Sequence, residues 1–459
     1  LKVVYRRYYT IISTLFTMAR DKTAAVVGGY GGMGKIFAAL LAQEGFNVTI
    51  SGPSETKGGK VAGELEVTYE RDNINAVSHA DVTIISVPID KTVSVIAEVG
   101  PALKKGSLLM DVTSIKQLPC KTMEEHCPKG VEILGTHPIF GPRVNKVDGQ
   151  VFVLTPIREG KWSRLFIDIL KKHKVRVHAT SPETHDEVMA VVQGLTHFTY
   201  ISLAKTLHEL SFDIKDSRNY SSPVYEMMLD MVGRIIGQDP HLYAEIQMRN
   251  PKIPRVHKAF LKASKTLSEI VGKGDEKAFV SFMVEAAKHF DDVERAMGRS
   301  DKAIESLVAE LKLIKGSVGR ELLLEHIYSG KKHLGVVEDV SPDEVLLLEG
   351  GGKKNLKLSN IRVLGGGEKK SFKIEKFGAV ARDFSILIDS PADEDFISKL
   401  LMQYDDRIIS VNVKDVYEGK QLPEGKKSVC FGIEIINEDA KDADAGVSDF
   451  FEKLGGVRR

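Results

Sequence analysis

Cysteine is scarce in this chain: Cys120, Cys127 and Cys430 are the only three in 459 residues. Three thiols cannot build a disulfide framework, and their spacing matches no zinc site, so a reducing, cytoplasmic setting is expected. Net charge is almost absent too, with 64 basic against 63 acidic residues. That balance exerts no global pull on nucleic acid or membrane, and any such binding would have to be local. No apolar stretch is long enough to span a bilayer. No histidine pair has the spacing of a helical metal site, so no metal is expected. What remains is a chain with 42% hydrophobic residues, long enough for about three domains at ~150 residues each.

Residues 1–22 read as an extension without function. Lys2, Arg6 and Arg7 precede Ile11-Ile12 and Leu15-Phe16, which superficially resembles a secretory leader. Ser13, Thr14 and Thr17 interrupt the apolar patch, no small-residue cleavage site follows, and Met18 reads as the better start.

From 23 to 180 the pattern alternates apolar strand candidates (24–28, 47–50, 81–87, 107–111 and 131–137) with helical stretches. Short apolar runs of this kind suit strands buried on both faces of a parallel sheet, so an α/β Rossmann domain is expected. Between 181 and 315 strand signals vanish and apolar residues recur at helical spacing, as in 185–210, 224–236 and 253–271. This predicts an all-α domain whose apolar-rich helices suit substrate binding and a homodimer interface. Residues 316–367 alternate as short strands around Ser329-Gly330 and Gly350-Gly351-Gly352, the pattern of a small β-barrel. Gly365-Gly366-Gly367 then reads as a linker. From 368 to 459, strands at 385–389, 408–413 and 428–436 mix with helical stretches, predicting an α+β ferredoxin-like domain.

The first chemistry-bearing motif is G-x-G-x-x-G at Gly29, Gly31 and Gly34, after a strand and before a helical run. Such glycines permit a tight turn and close approach of a pyrophosphate to a helix amino terminus. Cofactor contacts are expected at Gly29, Tyr30, Gly31, Gly32, Met33 and Gly34, and at Val87, Pro88 and Thr113 near the ends of later strands. The second strand ends in Ser51-Gly52-Pro53-Ser54, where an NAD enzyme usually carries an acid for the ribose hydroxyls. Ser51 and Ser54, with Lys57 and Lys60 close behind, suit a 2′-phosphate, so NADP is favoured over NAD. The alternative is that this loop contacts no cofactor.

A histidine, His137, ends the strand at 131–137 and opens His137-Pro138-Ile139-Phe140-Gly141-Pro142. At the carboxyl edge of a parallel sheet, beside a nicotinamide, it can accept a proton while a hydride leaves. With Leu108-Leu109-Met110-Asp111-Val112-Thr113-Ser114-Ile115-Lys116, Gln193-Gly194-Leu195-Thr196-His197-Phe198 and the run from Met231 through Arg234 to Ala244, this motif resembles the prephenate dehydrogenase family. The resemblance runs from about 23 to 313. It implies NAD(P)-dependent oxidative decarboxylation of prephenate to 4-hydroxyphenylpyruvate in tyrosine biosynthesis. It implies His137 as the catalytic base, Ser114 beside it, and Arg234 on the ring carboxylate, where a guanidinium fork suits the geometry. It also implies His197 and Gln193 as substrate-pocket residues.

Simpler readings stand beside these. Ser114 could cap a helix starting near Ile115, Arg234 could close a structural ion pair, and Gln193 and His197 could be satisfied core residues. Arogenate, which differs from prephenate only in a side-chain amine, is a rival substrate that the motifs do not separate. A tRNA-binding regulatory protein on a degenerate dehydrogenase body is a rival of another class.

Two further resemblances lie at the carboxyl end. Residues 319–364, with Gly335-Val336-Val337-Glu338-Asp339-Val340 and Leu358-Ser359-Asn360-Ile361, resemble a small Sm-like barrel. Phe377-Gly378-Ala379-Val380-Ala381-Arg382-Asp383-Phe384-Ser385 and the run from Asp415 to Ser428 resemble the ferredoxin-fold anticodon-binding domain of the phenylalanyl-tRNA synthetase β subunit. That implies a tRNA partner or a regulatory role. Lys420, Lys426 and Lys427 are the candidate phosphate contacts, and the acidic stretch 437–444 departs from the family pattern.

Overall fold

A computed structural model describes residues 22–144, 147–290, 292–327, 329–438 and 440–459. The amino-terminal extension therefore lies outside the described residues, save for Lys22. The chain forms two compact units divided between 291 and 292.

The first unit is built on an eight-stranded sheet of β1 (Thr23–Val27), β2 (Asn47–Ser51), β3 (Thr68–Glu70), β4 (Val82–Ile85), β5 (Leu108–Asp111), β6 (Glu132–Pro138), β7 (Val151–Arg158) and β8 (Arg176–Ala179). Their order is β3-β2-β1-β4-β5-β6-β7-β8. Every pairing is parallel except β6 with β7. Successive β1 residues feed opposite cores: Ala24 and Val26 join one apolar cluster, Ala25 and Val27 the other. This period-2 division, with helices on both faces, explains the unbroken apolar runs of the central strands. The five expected strands are present, and β3, β7 and β8 extend the sheet beyond them.

Strand order reverses between β1 and β4, which opens a crevice at their carboxyl ends. The turn into helix Gly32–Gln43 is closed by contact: a side chain at Gly28 (φ +80°) would meet the Ser86 carbonyl at 2.3 Å, and one at Gly34 the Gly28 carbonyl at 2.4 Å. Two strands beyond β4, β6 carries His137 to the same edge.

Residues 181–290 are helical, without a strand among the described residues. Side-chain caps start these helices: Ser181, Ser222, Asp239 and Asp275 each accept a first-turn N–H. Between helices Pro182–Met189 and Thr196–Glu209 the chain widens into a π-turn, Ala190–Leu195. No helix among the described residues is long and apolar enough to cross a membrane.

The second unit begins with helix Val293–Lys315, which the apolar pattern alone groups with the preceding helices. Five antiparallel strands follow: β9 (Glu321–His326), β10 (Lys332–Val340), β11 (Glu344–Glu349), β12 (Gly352–Lys357) and β13 (Ile361–Val363), in the order β12-β11-β10-β9-β13. The expected closed barrel is not formed, since β12 and β13 remain edges. β13 has three residues, all paired with β9, and Ile314 at the end of the preceding helix completes the core that closure would otherwise cover.

The Gly365-Gly366-Gly367 segment is also not a free linker. Gly365 caps helix Gly366–Phe377, its N–H donating to Glu368 at 3.1 Å. The final module is β14 (Ala379–Asp389), helix Glu394–Tyr404, β15 (Ile408–Tyr417), β16 (Lys426–Ile436), helix Ala440–Lys453 and β17 (Val457–Arg458). Sheet order β15-β16-β14-β17 gives the expected ferredoxin-like arrangement. The acidic stretch partly starts the last helix, where Asp442 and Asp444 pair with Arg407 and Arg382.

Candidate active site

The floor of the crevice beyond β5 is held by a fully buried cation. Lys116 Nζ pairs with Asp111 at the end of β5 and donates to the Thr136 carbonyl on β6 at 2.7 Å. Thr113 donates its hydroxyl to the same Asp111 oxygen, and Thr136 Oγ1 donates to the Asp111 carbonyl at 2.5 Å. A buried lysine is tolerated only with such compensation. The result is that the residue before His137 is clamped to the neighbouring strand.

His137 is 2% exposed. Its Nδ1 lies 2.9 Å from His185 Nε2, and His185 Nδ1 lies 2.8 Å from Asp186 Oδ1. Asp186 also accepts the backbone N–H groups of Lys116 (2.7 Å) and Gln117 (3.0 Å), so it caps helix Gln117–His126 from a distant part of the chain. The other His137 nitrogen, Nε2, meets the amide nitrogen of Gln193 at 3.2 Å. The π-turn aims Gln193 there while Gly194 packs so closely on Ile253 that a side chain would approach it to 2.7 Å. Burial, with the neighbouring His185 and Lys116, holds His137 well below the ordinary imidazole value. Burial also lowers His185.

One helical turn beyond Gln193, His197 meets Tyr243 edge to face at 4.6 Å. Burial pulls His197 down to about 4. Burial raises the Tyr243 phenol, opposed by the charge of Arg234. Arg234 is exposed and forms no ion pair with a described residue, so the structural-pair alternative is not realised. Ser114, half-buried in the turn after β5, hydrogen-bonds no described residue and does not cap the helix, which starts at Gln117. Three buried atoms near His137 and Tyr243 have no partner among the described residues: Asp111 Oδ1, Gln193 Oε1 and His197 Nδ1. Buried polar atoms of this kind call for a partner from water or a ligand.

At the cofactor end, Gly31 caps helix Gly32–Gln43 without a side chain, and the first turn carries no acid. Its N–H groups, including those of Gly32, Met33 and Gly34, suit a pyrophosphate. Gly29 is pressed against Ile50, and Tyr30 against Gly52. The Tyr30 hydroxyl accepts the Ser54 N–H at 3.1 Å. Val87 and Pro88 form the turn after β4. Two expected contacts are engaged elsewhere. Ser51 is fully buried and donates to Asn73 at 2.9 Å, and the Thr113 hydroxyl is held by Asp111. Ser54 caps helix Glu55–Leu65, while Lys57 and Lys60 remain exposed on it.

Sequence reasoning assigned no role to Lys116, Asp111, His185, Asp186 or Tyr243. The available signals were adjacent titratable residues, His185-Asp186, at a helix start, and an aspartate and a lysine, Asp111 and Lys116, bracketing the turn after an apolar strand.

Comparison with known proteins adds three family matches. Residues 37–179 match prephenate dehydrogenase, nucleotide-binding domain; 181–285 match prephenate dehydrogenase, dimerization domain; and 375–455 match the ferredoxin-fold anticodon binding domain. The chain is 40% identical over 442 residues to the "probable arogenate/prephenate dehydrogenase" of Methanocaldococcus jannaschii, covering 95% of this chain and 98% of that one. It is 30% identical to the T-protein of Enterobacter agglomerans, over 59% of this chain and 68% of that one. The structure of Aquifex aeolicus prephenate dehydrogenase with hydroxyphenyl propionate and NAD+ aligns at a TM-score of 0.48 and 22% identity, over 58% of this chain and 96% of that one.

His137, His185 and His197, all lowered, set a pH dependence of stability. Each folded value lies under the ordinary 6.5, so the unfolded chain binds the extra protons as pH falls. Their contribution is complete above about pH 6.5 and is lost as pH falls, through a window that for His197 reaches down to about 4. Urea unfolding midpoints are expected to fall across that window; a flat or rising midpoint on acidification would contradict the burial of neutral histidines.

Proposed function

The chain belongs to the prephenate dehydrogenase family, and from that premise we propose how its residues carry the reaction. It is an NAD(P)-dependent oxidoreductase that converts prephenate to 4-hydroxyphenylpyruvate, the tyrosine-forming branch of aromatic biosynthesis. The observation that carries this reading is His137: a neutral imidazole at a sheet edge, with Nδ1 on buried His185 and Nε2 turned away from it toward Gln193.

The nicotinamide, when bound, supplies the hydride acceptor. His137 Nε2 takes the ring hydroxyl proton as that carbon is oxidised to a ketone. The ring carboxylate then leaves as carbon dioxide, and its bonding pair flows into the ring to give a phenolate. The same proton returns from His137 to the phenolate oxygen. Prephenate and NAD(P)+ thus give 4-hydroxyphenylpyruvate, carbon dioxide and NAD(P)H with no net proton. Arg234, exposed and without an ion pair among the described residues, suits the ring carboxylate as a bidentate donor. Ser114, His197 and Gln193 supply the unpaired polar groups for the rest of the substrate.

Gly29, Gly31 and Gly34 suit the pyrophosphate, with Tyr30, Gly32 and Met33 around it and Val87 and Pro88 at the nicotinamide side. Ser51 ends β2 without an acid, and exposed Lys57 and Lys60 favour a 2′-phosphate, so NADP is the preferred cofactor. Exposed Leu261, Val280, Met283 and Val284 give the helical domain an apolar face for a second copy. A sedimentation mass of one chain would count against that dimer.

For the last domain, the residues support a regulatory role over tRNA binding. Two of its three candidate phosphate contacts are neutralised, Lys426 by Asp389 and Lys427 by Glu394, each at 2.7 Å. The open sheet face carries Asp383, paired with Lys414 at 2.7 Å, along with Asp415 and Glu434, and Tyr417 as its strand aromatic, too few for base stacking. Bulk tRNA at about 0.15 M salt, where surface charge is largely screened, is expected to migrate unchanged with the full chain; a retained shift would restore the RNA reading.

The catalytic assignment is tested by nicotinamide reduction, crossing prephenate and arogenate against NADP and NAD. Turnover is expected with prephenate, favouring NADP. Turnover with arogenate alone would move the substrate to the rival. His137→Asn is expected to lower kcat roughly 10²- to 10⁴-fold. Arg234→Gln should raise KM about tenfold or more, the weight of a charge-assisted hydrogen bond. Unchanged activity in His137→Asn would overturn the mechanism.

A further inference from the structure

The carboxylate–imidazole–imidazole chain behind His137 does more than fill space. Asp186 accepts two backbone N–H groups, from Lys116 and Gln117, and a carboxylate has only acceptors to offer His185. His185 Nδ1, at 2.8 Å from Asp186 Oδ1, must therefore carry the proton. A neutral His185 then has a bare Nε2, which needs a donor at 2.9 Å, and the group there is His137 Nδ1. A neutral His137 has one proton, now assigned to Nδ1, so its Nε2 is a lone pair. The Gln193 amide nitrogen at 3.2 Å fits that assignment, because an amide NH₂ can only donate.

We propose that His185 and Asp186 are positioning residues that hold His137 as its Nδ1–H tautomer, with Nε2 kept as the proton-accepting face toward the substrate. Neither touches the crevice, since each is 1% exposed. The charged and titratable groups around His137 agree with a neutral ring: Lys116 and Asp111 form their own pair beside it, and His185 with Asp186 backs it. Gln193 occupies Nε2 in the free chain and yields it to the substrate hydroxyl. Asp186 is itself anchored, its carbonyl accepting Asn250 Nδ2 at 2.7 Å, so the relay is aligned by the same contact that docks the helices on the sheet.

His185→Leu removes the acceptor behind His137 Nδ1. A neutral His137 then gains by carrying its proton on Nε2, where Gln193 can turn its unpartnered Oε1 to accept it.

The direct test is ¹⁵N spectroscopy of the full chain labelled at histidine, near pH 7 and without ligand. His137 is expected to show a protonated Nδ1 and a bare Nε2 in the wild type, and the reverse in His185→Leu. With prephenate, His185→Leu should lose roughly 10²- to 10⁴-fold in kcat, as expected when a general base holds the wrong tautomer. Its KM should stay within about threefold, because uniform binding is untouched. A wild-type His137 that is charged or protonated at Nε2 would sink the proposal, and this result needs no variant to fold. So would a folded His185→Leu whose His137 keeps the wild-type tautomer, whatever its kcat. The kinetic arm rests on the functional reading above, whereas the spectrum does not. A chain with the assigned tautomer but no turnover of prephenate or arogenate would defeat that reading and leave this one standing.

Discussion

The buried pair of Lys116 and Asp111 is the constraint on which the rest of the site depends. A lysine with no solvent exposure must be neutralised and hydrogen-bonded where it lies, or the fold pays heavily in desolvation. Here the pair bridges two strands and a turn at once, since Nζ also holds the Thr136 carbonyl. That requirement fixes the end of β6 against the end of β5. His137, the next residue, inherits its position from it.

The same turn ties the sheet to the helical domain. The backbone N–H groups of Lys116 and Gln117 are satisfied by Asp186, whose helix carries His185 to the back of His137. One small segment thus positions the base and docks the second layer. The π-turn that follows is the remaining adjustment, widening the helix so that Gln193 faces His137 while His197 faces Tyr243. Irregular turns of this kind are costly in a plain helix and recur at functional sites.

Much of this was legible in the sequence, for definable reasons. The Rossmann strands were readable because strands buried on both faces leave uninterrupted apolar runs, and His137 because a motif ended one of them. The glycine turn was readable because Gly28 and Gly34 admit no side chain. The Sm-like barrel was inferred from strand alternation, which reports pairing but not closure; the three-residue β13 and the intrusion of Ile314 decide that, and neither has a local signature. Gly365 read as a linker because three glycines suggest freedom, whereas Glu368 turns the first of them into a cap. Ser51 read as a cofactor contact from its place at the end of β2, yet Asn73, 22 positions on, takes its hydroxyl. His185, Asp186 and Lys116 were invisible as a unit because their meeting is tertiary, across 70 positions of chain.

The measurement that tests the account most directly is a double-mutant cycle on the buried pair, reading unfolding free energy and kcat together. Lys116→Met alone is predicted to cost about 3–5 kcal/mol, because it strands a buried carboxylate, and to lower kcat by loosening His137. Adding Asp111→Leu should recover most of the stability, since an apolar pair replaces an ionic one, but not the activity. A Lys116→Met chain with wild-type stability and kcat would contradict the claim that this pair sets the geometry of the site.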